Sequence, residues 1–133
     1  MALVTPVAFP SGNTNANMLN PSLAGDLFAG EALLQVAPCY IKASDGKVYM
    51  SNGTAVNEAT GFAGFTPTAY AAGEAVTLHT IGAQFGYGTA LTPGAKLYIA
   101  ATAGRLDTVA TVGDTIGVAR AIDAHHIQAT RAI

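Results

Sequence analysis

The sequence predicts a mostly β chain: a small, compact β-sandwich or barrel-like domain with an extended N-terminal arm and at most one short helix. Turn chemistry recurs along it, at Ser44-Asp45-Gly46, Ser51-Asn52-Gly53, Ala72-Gly73-Glu74, Thr92-Pro93-Gly94, Ala103-Gly104-Arg105 and Val112-Gly113-Asp114. These turns succeed one another at 7 to 12 residues except where Gly61, Gly64 and Gly82 break longer stretches, which is the beat of short strands joined by tight connections. Its 133 residues fit one domain and leave no room for two.

Residues 1–30 differ in composition from the rest of the chain and are read as an arm, with 31–133 as the β domain. Met1 to Pro10 is apolar, and Pro6 and Pro10 deny it both helix and central-strand status. Ser11 to Asn20 carries four Asn and little to bury. Asn20-Pro21 has the form of a helix cap and first position, so a single helical turn is expected there. Leu23, Leu27 and Phe28 would lie on one side of it, and Gly30 would stop it.

In the β domain the apolar runs are Ala32–Val36, Lys47–Met50, Phe62–Phe65, Ala75–Ile81 and Lys96–Ala101. Within the fourth, Val76 and Leu78 face one way and Thr77 and His79 the other, as in a half-buried strand. Lys96-Leu97-Tyr98-Ile99-Ala100 is more uniformly apolar and expected in the sheet interior. Residues 118–133 admit two readings. Val118, Ile122 and Ala129 would line a helix face. Val118, Arg120 and Ile122, then Ile127, Ala129, Arg131 and Ile133, alternate as two strands around Asp123-Ala124-His125. Two strands are the favoured reading.

Half of the residues are apolar and 11% are charged, less than half the usual charged share. So little charge leaves surface for another subunit or partner to cover. The formal charge is −2, and Lys42, Lys47, Lys96, Arg105, Arg120 and Arg131 are scattered singly. Binding to nucleic acid or an anionic membrane, which needs clustered cations, is not expected. No run of 18 apolar residues exists and no basic n-region opens the chain, so synthesis in a cytoplasm is the expectation.

Little in the sequence offers catalysis. The lone Cys39 has no internal disulfide partner and reads as a small buried thiol, since no base lies close in sequence. Asp45, Glu74, Asp107 and Asp114 each sit within three residues of a Gly, where carboxylates hydrogen-bond their own turn. Asp123, His125 and His126 form the one cluster with metal-ligand atoms. Adjacent His residues on a strand point apart, so a site would need a turn and a third ligand such as His79. No Gly-x-Ser-x-Gly elbow is present, and Gly86-Tyr87-Gly88 lacks the strand-then-helix of a phosphate loop. No catalytic residue, metal site or cofactor is assigned. Phe85, Tyr87 and Tyr70 are the aromatic residues that a carbohydrate- or host-surface-binding module would use.

The order Ser44-Asp45-Gly46-Lys47-Val48, Phe62-Ala63-Gly64-Phe65, Tyr70-Ala71-Ala72-Gly73-Glu74-Ala75-Val76, Ala90 to Thr108 and Thr115-Ile116-Gly117-Val118-Ala119 resembles the small head-decoration (capsid cement) proteins of tailed bacteriophages. The likeness spans roughly Glu31 to Ile122 and rests on turns and packing. It implies a compact β domain that is usually a homotrimer. It would sit on the outside of an expanded capsid, bridging subunits of the major capsid (coat) protein against internal pressure. The resemblance supplies no catalytic residue. N-terminal segments in that family often vary and make capsid contacts, which agrees with the unusual arm here.

On that reading Leu3, Val4, Val7, Phe9, Met18 and Leu19 are the arm's partner-binding residues. Burying them would contribute ~1.5–3 kcal/mol each, whereas fixing some twenty backbone residues costs ~1–2 kcal/mol each. The arm therefore needs main-chain pairing with its partner. Deleting residues 2–20 is expected to weaken capsid binding by more than tenfold. Undiminished occupancy by the truncated protein would refute an anchoring role.

Overall fold

A computed structural model describes residues 22–23, 27–54 and 56–131; the six arm residues Leu3, Val4, Val7, Phe9, Met18 and Leu19 lie outside these. The protein is mostly β. Its first sheet contains β1 (Ser22–Leu23), β2 (Pro38–Ile41), β3 (Val48–Met50), β4 (Gly64–Phe65) and β5 (Leu78–His79), in the order β1-β5-β4-β2-β3. The second contains β6 (Gln84–Gly86), β7 (Lys96–Ile99), β8 (Leu106–Asp107), β9 (Ala119–Ala121) and β10 (His126–Ala129), in the order β6-β10-β9-β7-β8. Every strand pair is antiparallel.

The helical turn expected after Pro21 is absent among the described residues up to Gly30. Ser22–Leu23 is strand, paired with His79 and Leu78, and Phe28 and Ala29 bridge to Ala75 and Val48. The helical spacing of Leu23, Leu27 and Phe28 is outweighed by backbone pairing with the β domain, so the sheet recruits residues on the N-terminal side of Glu31. Among the described residues a single 3-10 turn, Glu58–Thr60, occurs elsewhere; Asn57 caps it by accepting from Ala59 N at 2.9 Å.

Ala32–Val36 is not a strand either. Leu33 alone bridges Tyr70, and Val36 has a positive φ of 49°, a left-handed conformation that ends extended pairing. Thr66 stabilises this turn from inside. Its hydroxyl donates to Leu34 O at 2.6 Å and accepts from Ala37 N at 2.9 Å. The strand begins two residues later at Pro38, where proline is tolerated as a first strand residue. Cys39 and its neighbours then occupy an interior position between β4 and β3.

The two sheets meet through Phe65 and Phe85, whose ring centroids are 5.1 Å apart, with Phe62 tilted against Phe65 at 5.0 Å. Leu97, Ile99, Val118, Ile127 and Ala129 complete this core. A second cluster covers the other face of the first sheet: Ala29, Leu33 and Val76 lie over Cys39, Val48 and Leu78. Val76 and Leu78 share a face as expected, but the opposite face is not solvated. His79 packs against Phe85, so both faces of β5 are buried.

The C-terminal segment forms the favoured pair of strands, β9 and β10, about a turn at 123–125. The alternation in β9 has the opposite phase from that expected: Ala119 and Ala121 are buried and Arg120 is exposed. Val118 N bonds Leu97 O at 2.9 Å while Ala119 is the register partner of Leu97. Two residues thus oppose one, a β-bulge that turns both side chains into the core.

The outer edge of β3 is not open. Val48 N donates to Phe28 O at 2.9 Å, and Met50 N donates to a Glu31 carboxylate oxygen at 2.9 Å.

Gly64 shows how closely the first sheet is packed. A Cβ there would stand 2.6 Å from His79 O and 2.9 Å from Leu78 Cβ, whereas one at Gly61 would meet nothing nearer than 3.5 Å. Gly64→Ala is expected to cost ~1–3 kcal/mol, with Gly61→Ala far milder. Urea unfolding of the two variants checks this, and equal stability would contradict the packing argument.

Candidate partner-binding surface

The segment from Val109 to Gly117 is an irregular loop held from within by one carboxylate. Asp114 is 1% exposed. One of its oxygens accepts from Ile99 N at 2.8 Å; the other accepts from Gly117 N at 2.8 Å, Ile116 N at 3.2 Å and Arg131 Nη1 at 3.1 Å. A turn Asp is expected to bond its own backbone, and Asp114 does. Its additional bonds to β7 and to Arg131 reach across the sequence and have no local signature.

Further bonds fix the loop to the domain. The Thr111 hydroxyl donates to Ile99 O at 2.9 Å, Gly113 N to Gly53 O at 3.0 Å, and Gly53 N to Ala100 O at 2.7 Å. From this fixed backbone Val109, Val112 and Ile116 project outward at 65%, 73% and 68% exposure. Val56, three residues beyond the Gly53 contact, is also exposed. These are exposed apolar side chains on a backbone that hydrogen bonds to Asp114 and to β7 hold in place. The available sequence signal is three apolar β-branched residues, Val109, Val112 and Ile116, in a stretch that also carries two Thr, two Gly and Asp114.

The loop adjoins a groove of about 310 Å3 whose walls include Lys96, Arg120 and Arg131, with Ile116 at one side. The cations therefore do not stay scattered. Antiparallel register sets Lys96 directly opposite Arg120, and Arg131 comes after β10, the other neighbour of β9. Seeing this requires the pairing of strands more than twenty residues apart.

The residues with chemical potential are placed separately. Cys39 is fully buried, its thiol donates to Ala37 O at 3.4 Å, and burial above all, with Glu31 nearby, pushes its pKa far up. That is the expected inert thiol. Asp123 caps the β9–β10 turn, accepting from His125 N and His126 N at 2.8 Å each and pairing with His126 Nδ1 at 3.0 Å. These bonds, led by the His125 amide, hold its pKa down to about 2. His79 lies in the other sheet, 8% exposed and stacked 5.5 Å from Phe85, so it does not join this turn. Among the described residues no three His, Cys, Asp or Glu side chains gather as metal ligands. Phe85 is wholly buried and offers no face to a sugar. Tyr87 packs on the same core with its hydroxyl accepting from Leu106 N at 3.1 Å, and Tyr70 packs against the second cluster. Among the described residues no helix is long and apolar enough to cross a membrane. No protein-family model matches the chain, and no curated protein matches it.

The buried polar groups make two effects measurable. Asp114→Ala would strand the Ile99 and Gly117 amides and leave Arg131 without its carboxylate, so a loss of ~3–5 kcal/mol in denaturant stability is expected; a loss below about 1 kcal/mol would show the loop to be held otherwise. His79 is neutral in the fold, its pKa held down to about 4 by burial. Its unfolded form takes up a proton near pH ~6.5. Stability is thus fully present above that pH and falls as pH drops toward about 4, by on the order of 3 kcal/mol. Thermal unfolding at about pH 7 and pH 4.5 is expected to show a smaller drop in His79→Leu than in the natural chain, and equal drops would exclude His79 as the cause.

Proposed function

We propose that this protein is a structural capsid-decoration (cement) protein and not an enzyme: a homotrimer that binds the outer surface of an assembled phage head and stabilises it by bridging coat subunits. The observation that carries the reading is the exposed apolar loop, Val109, Val112 and Ile116, on a backbone fixed by buried Asp114. A clamp needs a surface that is apolar enough to bind and already ordered before it binds, because ordering a loop at the moment of contact subtracts from affinity. The turn-by-turn resemblance to head-decoration proteins and the low charge content support the same reading. The partner is the coat protein, and the place of action is the virion exterior after synthesis in the host cytoplasm.

In this assignment the loop faces the coat lattice. Val112→Asp combined with Ile116→Asp places two charges on exposed positions and leaves the core untouched. The variant is expected to keep a light-scattering mass of three chains of 13.4 kDa and to lose more than tenfold in affinity for expanded heads stripped of the protein. A monomer mass for the natural chain would refute the trimer, and full head occupancy by the variant would refute the loop's role.

A further inference from the structure

We propose that the groove between β7, β9 and the residue pair after β10 binds carboxylates of an acidic protein segment, gripped by Lys96, Arg120 and Arg131. This does not depend on the capsid reading. Three of the chain's six Lys and Arg residues line this single groove. Lys96 and Arg120 are direct cross-strand partners, and like charges set opposite one another destabilise a sheet. Among the described residues neither one forms an ion pair. A protein this poor in charge that places two uncompensated cations side by side has a surface complementary to an anion held outside the chain.

Arg131 differs from the other two. One N–H donates to Asp114, yet its side chain keeps 31% exposure, and a guanidinium has five N–H donors. The Asp114 contact orients the fork at the groove wall, and the groove retains the charges of Lys96 and Arg120.

The geometry favours peptide carboxylates over free phosphate. One kind of phosphate cradle, the backbone nest, is built from N–H groups aimed at one point. The loop amides beside this groove, Ile116 N and Gly117 N, already donate to Asp114. What remains is side-chain cations next to the exposed apolar Ile116. That mixture suits a segment carrying Asp or Glu among apolar residues. The groove's outer row continues along the sheet through Gln128 and Gln84, the register partners beyond Arg120, so an extended segment can lie across several strands.

The test is fluorescence anisotropy of labelled hexaglutamate and hexaglutamine with the full chain. Hexaglutamate is expected to bind and hexaglutamine not. Lys96→Gln with Arg120→Gln is expected to weaken binding more than tenfold; Lys42→Gln with Lys47→Gln removes the same charge from the connection between β2 and β3 and is expected to leave it unchanged. Both pairs are exposed or half-exposed, and circular dichroism verifies the fold. The proposal is overturned by absence of hexaglutamate binding, by equal loss in the two double variants, or by hexaglutamine binding as well. It is also overturned if inorganic phosphate displaces the probe as effectively as unlabelled hexaglutamate at equal concentration.

Discussion

The buried carboxylate of Asp114 is the interaction on which the outward-facing half of this protein depends. A carboxyl side chain at 1% exposure is tolerated only when its oxygens are hydrogen-bonded. Here they take three backbone amides and a guanidinium. The amides belong to β7 and to the residues leading into β9, and the guanidinium to the residues after β10, so one side chain ties three neighbouring strand segments together. A loop of small and β-branched residues has little of its own to bury. Hydrogen bonding to Asp114 substitutes for a local core and leaves the apolar side chains free to face outward.

The same carboxylate links the two surface features. It fixes the backbone beneath Ile116 and it holds Arg131 at the groove wall. The exposed Ile116 and the basic groove thus share one hydrogen-bonded support. The bulge at Val118 and Ala119 contributes to this. By turning two consecutive residues inward it resets the alternation of β9, which is why Arg120 rather than its neighbours faces the groove.

Much of the fold is legible because β turns announce themselves in short stretches. Gly46, Gly73, Gly94 and Gly104 all adopt positive φ in the turns where they are expected, and Val48–Met50, Gly64–Phe65 and Lys96–Ile99 lie within predicted runs. The errors have a common origin in contacts distant along the chain. The helical pattern after Pro21 is sound locally, and a strand pairing with Leu78 and His79 displaces it. The strand at Pro38–Ile41 is hidden because proline opens it and because the more conspicuous Ala32–Val36 is bent by a strap from Thr66. Gln84–Gly86 is hidden by flanking glycines that read as turns. At the surface, neither the basic groove nor the reach of Asp114 has any local signature, since both depend on which strands become neighbours.

The covering of β3 bears on how such a protein behaves when many copies crowd together. An open strand edge is a template for another chain, and sheets with long bare edges tend to polymerise. Here Phe28 O and the Glu31 carboxylate occupy amides of β3, and the remaining edge strands are short: two residues each in β1 and β8 and three in β6. Short and partly covered edges leave little backbone for sheet-to-sheet growth, so a chain that is half apolar can reach high local density with few exposed strand templates.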